Sequence, residues 1–215
     1  MSGDITPRLP VAREGWPFIL WPAALAAALW AGGRPRLALP LVAASLASLG
    51  FFRDPERTVP VIPHAALAPA DGTVREVADD LDDFVGPARR VSIFLSPLDV
   101  HVNRAPIAGL VVGTTYTPGR FLPAWKAEAS RVNERCAVHL QGDSARVTVV
   151  QIAGVAARRI VCRVGAGDKL AAGQRFGMIR FGSRTDCYMP RGTVVRAAPG
   201  DRVQAGVTVL GVLPS

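Results

Sequence analysis

Residues 167–173 read Gly-Asp-Lys-Leu-Ala-Ala-Gly, and residues 200–206 read Gly-Asp-Arg-Val-Gln-Ala-Gly. In both copies glycines stand where a turn needs positive φ, and a short alternating segment follows the acid. That is the composition of a β-hairpin element. A second echo links Pro69-Ala70-Asp71-Gly72-Thr73-Val74 to Met189-Pro190-Arg191-Gly192-Thr193-Val194. Outward from these repeats, short segments bounded by Gly, Pro and Asp predict strands over 72–77, 90–95, 109–116, 146–152, 158–164, 175–181, 193–197 and 207–213. Residues 123–131, Pro-Ala-Trp-Lys-Ala-Glu-Ala-Ser-Arg, predict a short helix. The expected fold is mainly β within an α+β chain: a sandwich or barrel-like domain over 53–215.

The repeated hairpin resembles the element of lipoyl- and biotinyl-type β modules. A carrier module would present a modifiable lysine at an exposed hairpin tip. The two lysines, Lys126 and Lys169, lack that setting.

The N-terminal part differs in character. After a tail over 1–15, residues 16–33 and 37–52 are apolar, and the only charges between Gly15 and Phe52 are Arg34 and Arg36 in the connecting turn. Each segment makes a helix of roughly 24 Å, against a hydrocarbon core of about 30 Å. The expectation for 16–52 is a membrane-associating helical hairpin, spanning a thinned bilayer or re-entrant. Trp16, Trp21 and Trp30 suit the headgroup level. A cleaved signal peptide fits poorly, because a second apolar stretch follows and Asp4 and Glu14 sit among the leading arginines.

Length and composition allow one sizeable domain with an appendage: 215 residues, 49% hydrophobic. The formal charge of +8 suits an anionic membrane surface. Nucleic acid is disfavoured, since two tyrosines and the absence of an aromatic or Cys/His binding pattern leave no means of base recognition. Cys136, Cys162 and Cys187 form neither a disulfide framework nor a metal pair, and read as reduced core thiols on the cytosolic side. With His64, His101 and His139 scattered, no metal site is expected.

Four places carry chemistry-bearing residues. Phe181-Gly182-Ser183-Arg184-Thr185-Asp186 puts a serine behind a glycine turn, where a hydroxyl can approach its own upstream carbonyl. Ala68-Pro69-Ala70-Asp71-Gly72 carries an acid on a turn. Ser96-Pro97-Leu98-Asp99-Val100-His101-Val102-Asn103-Arg104 carries a histidine after a strand. Asn133-Glu134-Arg135 is a polar triplet. Serine, base and orienting acid can form a hydroxyl-activating set in any sequence order. The Gly-x-Ser-x-Gly elbow of α/β-hydrolases is absent.

Together, in this order and behind an apolar N-terminal segment, these motifs resemble the phosphatidylserine decarboxylase proenzymes of the short bacterial and archaeal branch. The resemblance implies self-cleavage between Gly182 and Ser183 into a β chain (1–182) and an α chain (183–215), which remain associated as a heterodimer. It implies a covalent pyruvoyl group made from Ser183, with no metal, and decarboxylation of phosphatidylserine to phosphatidylethanolamine through a Schiff base. His101 takes the role of base and proton donor, and Asp71 the role of its orienter. Asn133, Arg135 and Arg104 are candidates for binding the substrate. The family's longer members carry a second histidine where this chain has Arg104, so His101 serves both steps or another group, such as His64 or His139, shares them. The implied location is the cytoplasmic face of the cell membrane, with an anionic phospholipid as partner and dimerisation through sheet edges as a further expectation. Two other readings are a membrane-anchored serine hydrolase and a non-enzymatic lipoyl-like adaptor.

Overall fold

A computed structural model describes residues 10–126, 128–155, 159–180 and 182–214. Of the expected features, residues 1–9 of the tail, Ala127, Arg158 and Phe181 lie outside the described residues. The chain divides into two compact units, Met1–Glu56 and Arg57–Ser215.

The first unit is a helical hairpin. Helix α1 (Trp16–Ala31) and helix α2 (Pro35–Phe51) are joined by a turn in which Gly33 takes φ 74° and the Arg34 N–H donates to Leu29 O. Buried Ala26 and Ala38 let the helices approach, and Ser45 Oγ donates to Ile19 O at 2.8 Å. The hydroxyl is thereby satisfied inside an apolar contact. Trp21, Trp30, Leu39 and Leu46 are exposed on the hairpin. Among the described residues no helix is long and apolar enough to cross a membrane.

The second unit is built of antiparallel strands. They are β1 (Ala65–Leu67), β2 (Gly72–Asp82), β3 (Gly86–Leu95), β4 (Val102–Arg104), β5 (Gly109–Thr117), β6 (Arg135–Gln141) and β7 (Arg146–Ile152). They continue with β8 (Ile160–Cys162), β9 (Lys169–Leu170), β10 (Arg175–Ile179), β11 (Ser183–Pro190), β12 (Val194–Val195), β13 (Arg202–Val203) and β14 (Val209–Val212). An eight-stranded sheet runs β13-β2-β3-β11-β7-β6-β5-β9, beside two three-stranded sheets, β4-β10-β8 and β1-β14-β12. The chain is thus mainly β behind a helical hairpin, as its sequence predicts.

The repeat is structural. Gly167 and Gly200 take φ 96° and 99°, and Gly173 and Gly206 take 73° and 71°. Asp168 accepts from Gly165 N as Asp201 accepts from Ala198 N, both at 2.8 Å. The two copies supply β9 and β13, the opposite edges of the eight-stranded sheet. Even so, a Cβ on Gly206 would lie 3.3 Å from the Gly173 Cα. The sheet therefore curls into a half-barrel that brings the turns after its two edge strands together. Val74, Val91, Ile93, Val138, Val147 and Met189 line the inner face of the curl and pack with Phe176 and Leu210.

Three elements depart from the sequence reading. Strands β2 and β3 run on through the polar stretch 78–90, because Asp79 pairs with Arg89 at 3.0 Å and Asp80 with Arg90 at 2.7 Å. Such cross-strand pairs support a ladder that lacks apolar alternation. The helix expected over 123–131 shrinks to α3 (Ala129–Val132), preceded by a turn in which Lys126 N donates to Pro123 O. Most consequentially, the residues after Gly182 continue as β11, in the middle of the large sheet.

Candidate active site

Backbone pairing gathers all four motifs at one end of the curled sheet. Ser183 opens β11 and pairs with Leu95, the last residue of β3. The chain leaving Leu95 turns through Ser96–Val100 to His101, whose carbonyl accepts from Ile179 N at 3.2 Å. Ile179 ends β10, the strand that leads into Gly182. The Asp71 turn reaches the same place: Thr73 pairs with Phe94, and a Cβ on Gly72 would be 2.1 Å from Phe94 O.

Gly182 takes φ 61°, a left-handed conformation that a side chain would strain. Its carbonyl oxygen lies against Gly154, just beyond β7: a Cβ there would stand 2.1 Å from that oxygen. Only hydrogen fits between the two backbones. Ser183 is fully buried, and among the described residues its Oγ has no hydrogen-bond partner. Most buried hydroxyls are satisfied, so an orphaned one directly behind a left-handed glycine marks a functional candidate.

His101 is also fully buried, with Nδ1 2.9 Å from the Asp99 carbonyl. A nitrogen facing a carbonyl must carry the proton, which leaves the lone pair on Nε2. The loop that presents this carbonyl is itself fixed. Asp99 accepts from Ser96 N at 2.8 Å, from Ser96 Oγ at 2.7 Å and from Arg202 at 2.6 Å. Burial opposes ionisation of Asp99, but the Ser96 donors and the Arg202 guanidinium outweigh it and hold the carboxyl below its usual range.

Asp71 is paired with an arginine at the same end of the sheet. Arg57 grips both its oxygens, at 2.5 and 2.7 Å, and Ala205 N donates to it at 2.8 Å. The planar fork of arginine matches a carboxylate better than one imidazole N–H can. Asp71 thus ties Arg57, at the start of this unit, to the second repeat, while a backbone carbonyl faces Nδ1 of His101. Arg104 is buried and lies along both repeats, with Nη1 3.2 Å from Gly173 O and Cδ 3.0 Å from where a Gly206 Cβ would be.

Asn133 and Arg135 stand just before and at the head of β6, beside the end of β7. Both N–H groups of the buried Asn133 amide are used, on Leu122 O and Ala153 O at 2.8 Å, and its oxygen accepts from Leu122 N. It clamps segment 121–125 against the end of β7. Arg135, Ile152 and Arg184 are register partners, so they share the sheet face opposite Ser183. That face carries a cavity of about 470 Å³ lined by Arg135, His139, Asp186 and Tyr188. His139 sits there between Thr115 and Thr148, and His64 is near Ser144.

On the Ser183 face, a buried polar layer joins β11 to the small sheet. Asn103 donates to Pro69 O and to Thr185 Oγ1, and Gln151 donates to Asn103 Oδ1 at 2.9 Å. Sequence reading missed the roles of Asp99, Arg202, Gly154 and this layer. Only Asp99 carried a local signal, the Ser-Pro-x-Asp turn. The three cysteines are free, and the Cys162 thiol donates to Val164 O at 3.6 Å. Among the described residues no group of acids, histidines and cysteines could hold a metal ion.

Fold and site together define a class: β proteins with a buried serine at the head of a central strand, directly behind a left-handed glycine. Comparison with known proteins gives the particular family. The family model described as phosphatidylserine decarboxylase matches residues 46–211. The phosphatidylserine decarboxylase proenzyme of Desulfotalea psychrophila is 45% identical over 96% of this chain and 98% of its own. The proenzyme of Nitrosomonas europaea is 47% identical over 98% of both chains, and that of Burkholderia mallei 45% over 95% of both. The chain belongs to the phosphatidylserine decarboxylase family.

Proposed function

We propose that the chain is a self-cleaving precursor that matures into a pyruvoyl-dependent decarboxylase of phosphatidylserine, yielding phosphatidylethanolamine and CO2. Family membership supports the decarboxylation. The observation that carries the mechanism is the orphaned, buried Ser183 hydroxyl beside the left-handed Gly182.

Ser183 Oγ attacks the Gly182 carbonyl carbon, and Nε2 of His101 takes the hydroxyl proton. The C–N bond breaks and an ester replaces the amide. Removal of the Ser183 α-proton then sends its electron pair into a Cα–Cβ double bond and expels residues 1–182 as a Gly182 carboxylate. Water displaces the nitrogen as ammonia, leaving a pyruvoyl group at the head of 183–215. The α chain stays in place because β11 is hydrogen-bonded on both sides, to β3 and to β7.

The site suits such a group: the Ser183 side chain is buried, and Thr185 and Asn103 supply a satisfied polar floor. When formed, the group supplies an electron sink for the pair released as CO2 departs. His101 then returns a proton to the product carbon, with its tautomer held by Asp99 O. Arg57 and Asp71 anchor the surrounding turns. The exposed apolar residues of the hairpin support association with the cytoplasmic face of the cell membrane, where free thiols stay reduced. The test is CO2 release from vesicles of carboxyl-labelled phosphatidylserine. Ser183→Ala is expected to abolish release and leave the chain full-length; release by an uncut Ser183→Ala chain contradicts the reading.

A further inference from the structure

Three loops border Gly182, and each carries an exposed apolar side chain. Leu98, 83% exposed, lies on the loop from Leu95 to His101, and Val155, 51% exposed, follows Gly154 directly. Trp125, 62% exposed, and Phe121 belong to the segment that Asn133 clamps to Ala153, and Ala124 of that segment packs toward Gly154. The Trp125 ring meets Phe94 edge-on at 6.3 Å, and Arg75 stacks over the other partner of that pair, with Cζ 5.1 Å from the Phe94 centroid. Phe94 is the register partner of Arg184, next to Ser183.

Scattered exposed apolar residues need no explanation, but several on the loops around one buried group do. Their neighbours are cationic. Arg75, Arg120, Lys126 and Arg159 are exposed on the same loops and strand ends, with Glu128 the exposed acid beside them. Aromatic and aliphatic tips ringed by arginine and lysine match a bilayer's interfacial zone and its anionic headgroups. A protein partner would be met by a flatter, less charged centre.

We propose that these loops form a second membrane contact, belonging to the catalytic unit itself, which seats the mouth of the Ser183 site on an anionic phospholipid surface. Trp125, Leu98 and Val155 enter the interface, and the surrounding cations engage phosphates. This rests on the phosphatidylserine reading above, because a substrate that keeps its acyl chains in the bilayer must be met at that surface.

The chain has four tryptophans, so Trp16→Phe, Trp21→Phe and Trp30→Phe in one full-length protein leave Trp125 as the sole emitter. The probe is vesicles of phosphatidylserine and phosphatidylcholine with acyl chains brominated or not. Trp125 fluorescence is expected to fall with brominated lipid, and less in vesicles of phosphatidylcholine alone. Unquenched emission from protein that co-sediments with the vesicles overturns the proposal. So does a concentration-dependent emission shift without lipid, since it would mean that a second copy covers the loops. Paired Trp125→Ser and Leu98→Ser should raise the apparent KM for vesicle substrate about tenfold with kcat unchanged, and an unchanged KM counts against the contact. Quenching without decarboxylation would sink the enzymatic reading alone, and decarboxylation without quenching would sink this inference alone.

Discussion

The carbonyl oxygen of Gly182 rests against the backbone of Gly154, where a Cβ would intrude to 2.1 Å. The bond proposed for cleavage is therefore held by a residue from a different strand end. Gly154→Ala must push the Gly182 carbonyl away from the Ser183 hydroxyl. Self-cleavage should slow at least about tenfold, a barrier rise of roughly 1.4 kcal/mol. Pulse-chase electrophoresis of the folded variant reads the rate, and wild-type processing would remove Gly154 from the account.

Asp99 organises the loop that fixes the His101 tautomer. Its carboxyl is held below the usual range, so the stabilisation is complete above the unfolded carboxylate value of 3.8 and is lost as pH falls through the lower folded value. Asp99→Asn should remove this acid-side component, visible as a weaker dependence of the melting temperature on pH below about 4. It should also slow processing, because the Asp99 carbonyl loses its support. An unchanged acid profile contradicts the assignment.

Asp71 separates an anchoring role from a catalytic one. Asp71→Asn leaves the buried Arg57 half-paired, a change that costs roughly 3 kcal/mol at comparable sites. Denaturant unfolding should show that loss, while the variant still cleaves at temperatures where it is folded. A stable, fully folded Asp71→Asn chain that cannot cleave would return Asp71 to the orienting role.

The buried layer beneath Ser183 hinges on Asn103. Asn103→Ala strips a donor from Thr185 Oγ1 and an acceptor from Gln151 Nε2 in a dry setting, where each unsatisfied group costs about 1–3 kcal/mol, while Pro69 O keeps its bond from Arg104 N. A destabilisation of roughly 2 kcal/mol or more is expected, measured by urea titration. A loss under about 0.5 kcal/mol, the range of an ordinary surface change, would mean that the layer does not bind the two sheets together.

The repeat at 167–173 and 200–206 made the β architecture legible, because its glycine and aspartate positions recur with the same φ values and the same turn bonds. The apolar hairpin was equally plain. What escaped was chemistry settled across distance. Strand β11 looks like a turn because Arg184 and Asp186 interrupt its alternation; they are tolerated on a buried strand because they pair with each other at 2.7 Å and with Ser92 and Ser130. The resemblance gives Asp71 to the histidine, and nothing in the sequence near it announces the Arg57 guanidinium on both its oxygens. Gly154 has no local signature, since its need for a missing side chain comes from Gly182.

The most direct test of the central claim is the intact mass of the purified protein under denaturing conditions. The account predicts two polypeptides, 1–182 and 183–215, with the smaller lighter by one ammonia than a serine-headed chain and reactive toward a carbonyl reagent. A single full-length, carbonyl-free chain in a preparation that decarboxylates phosphatidylserine would contradict it.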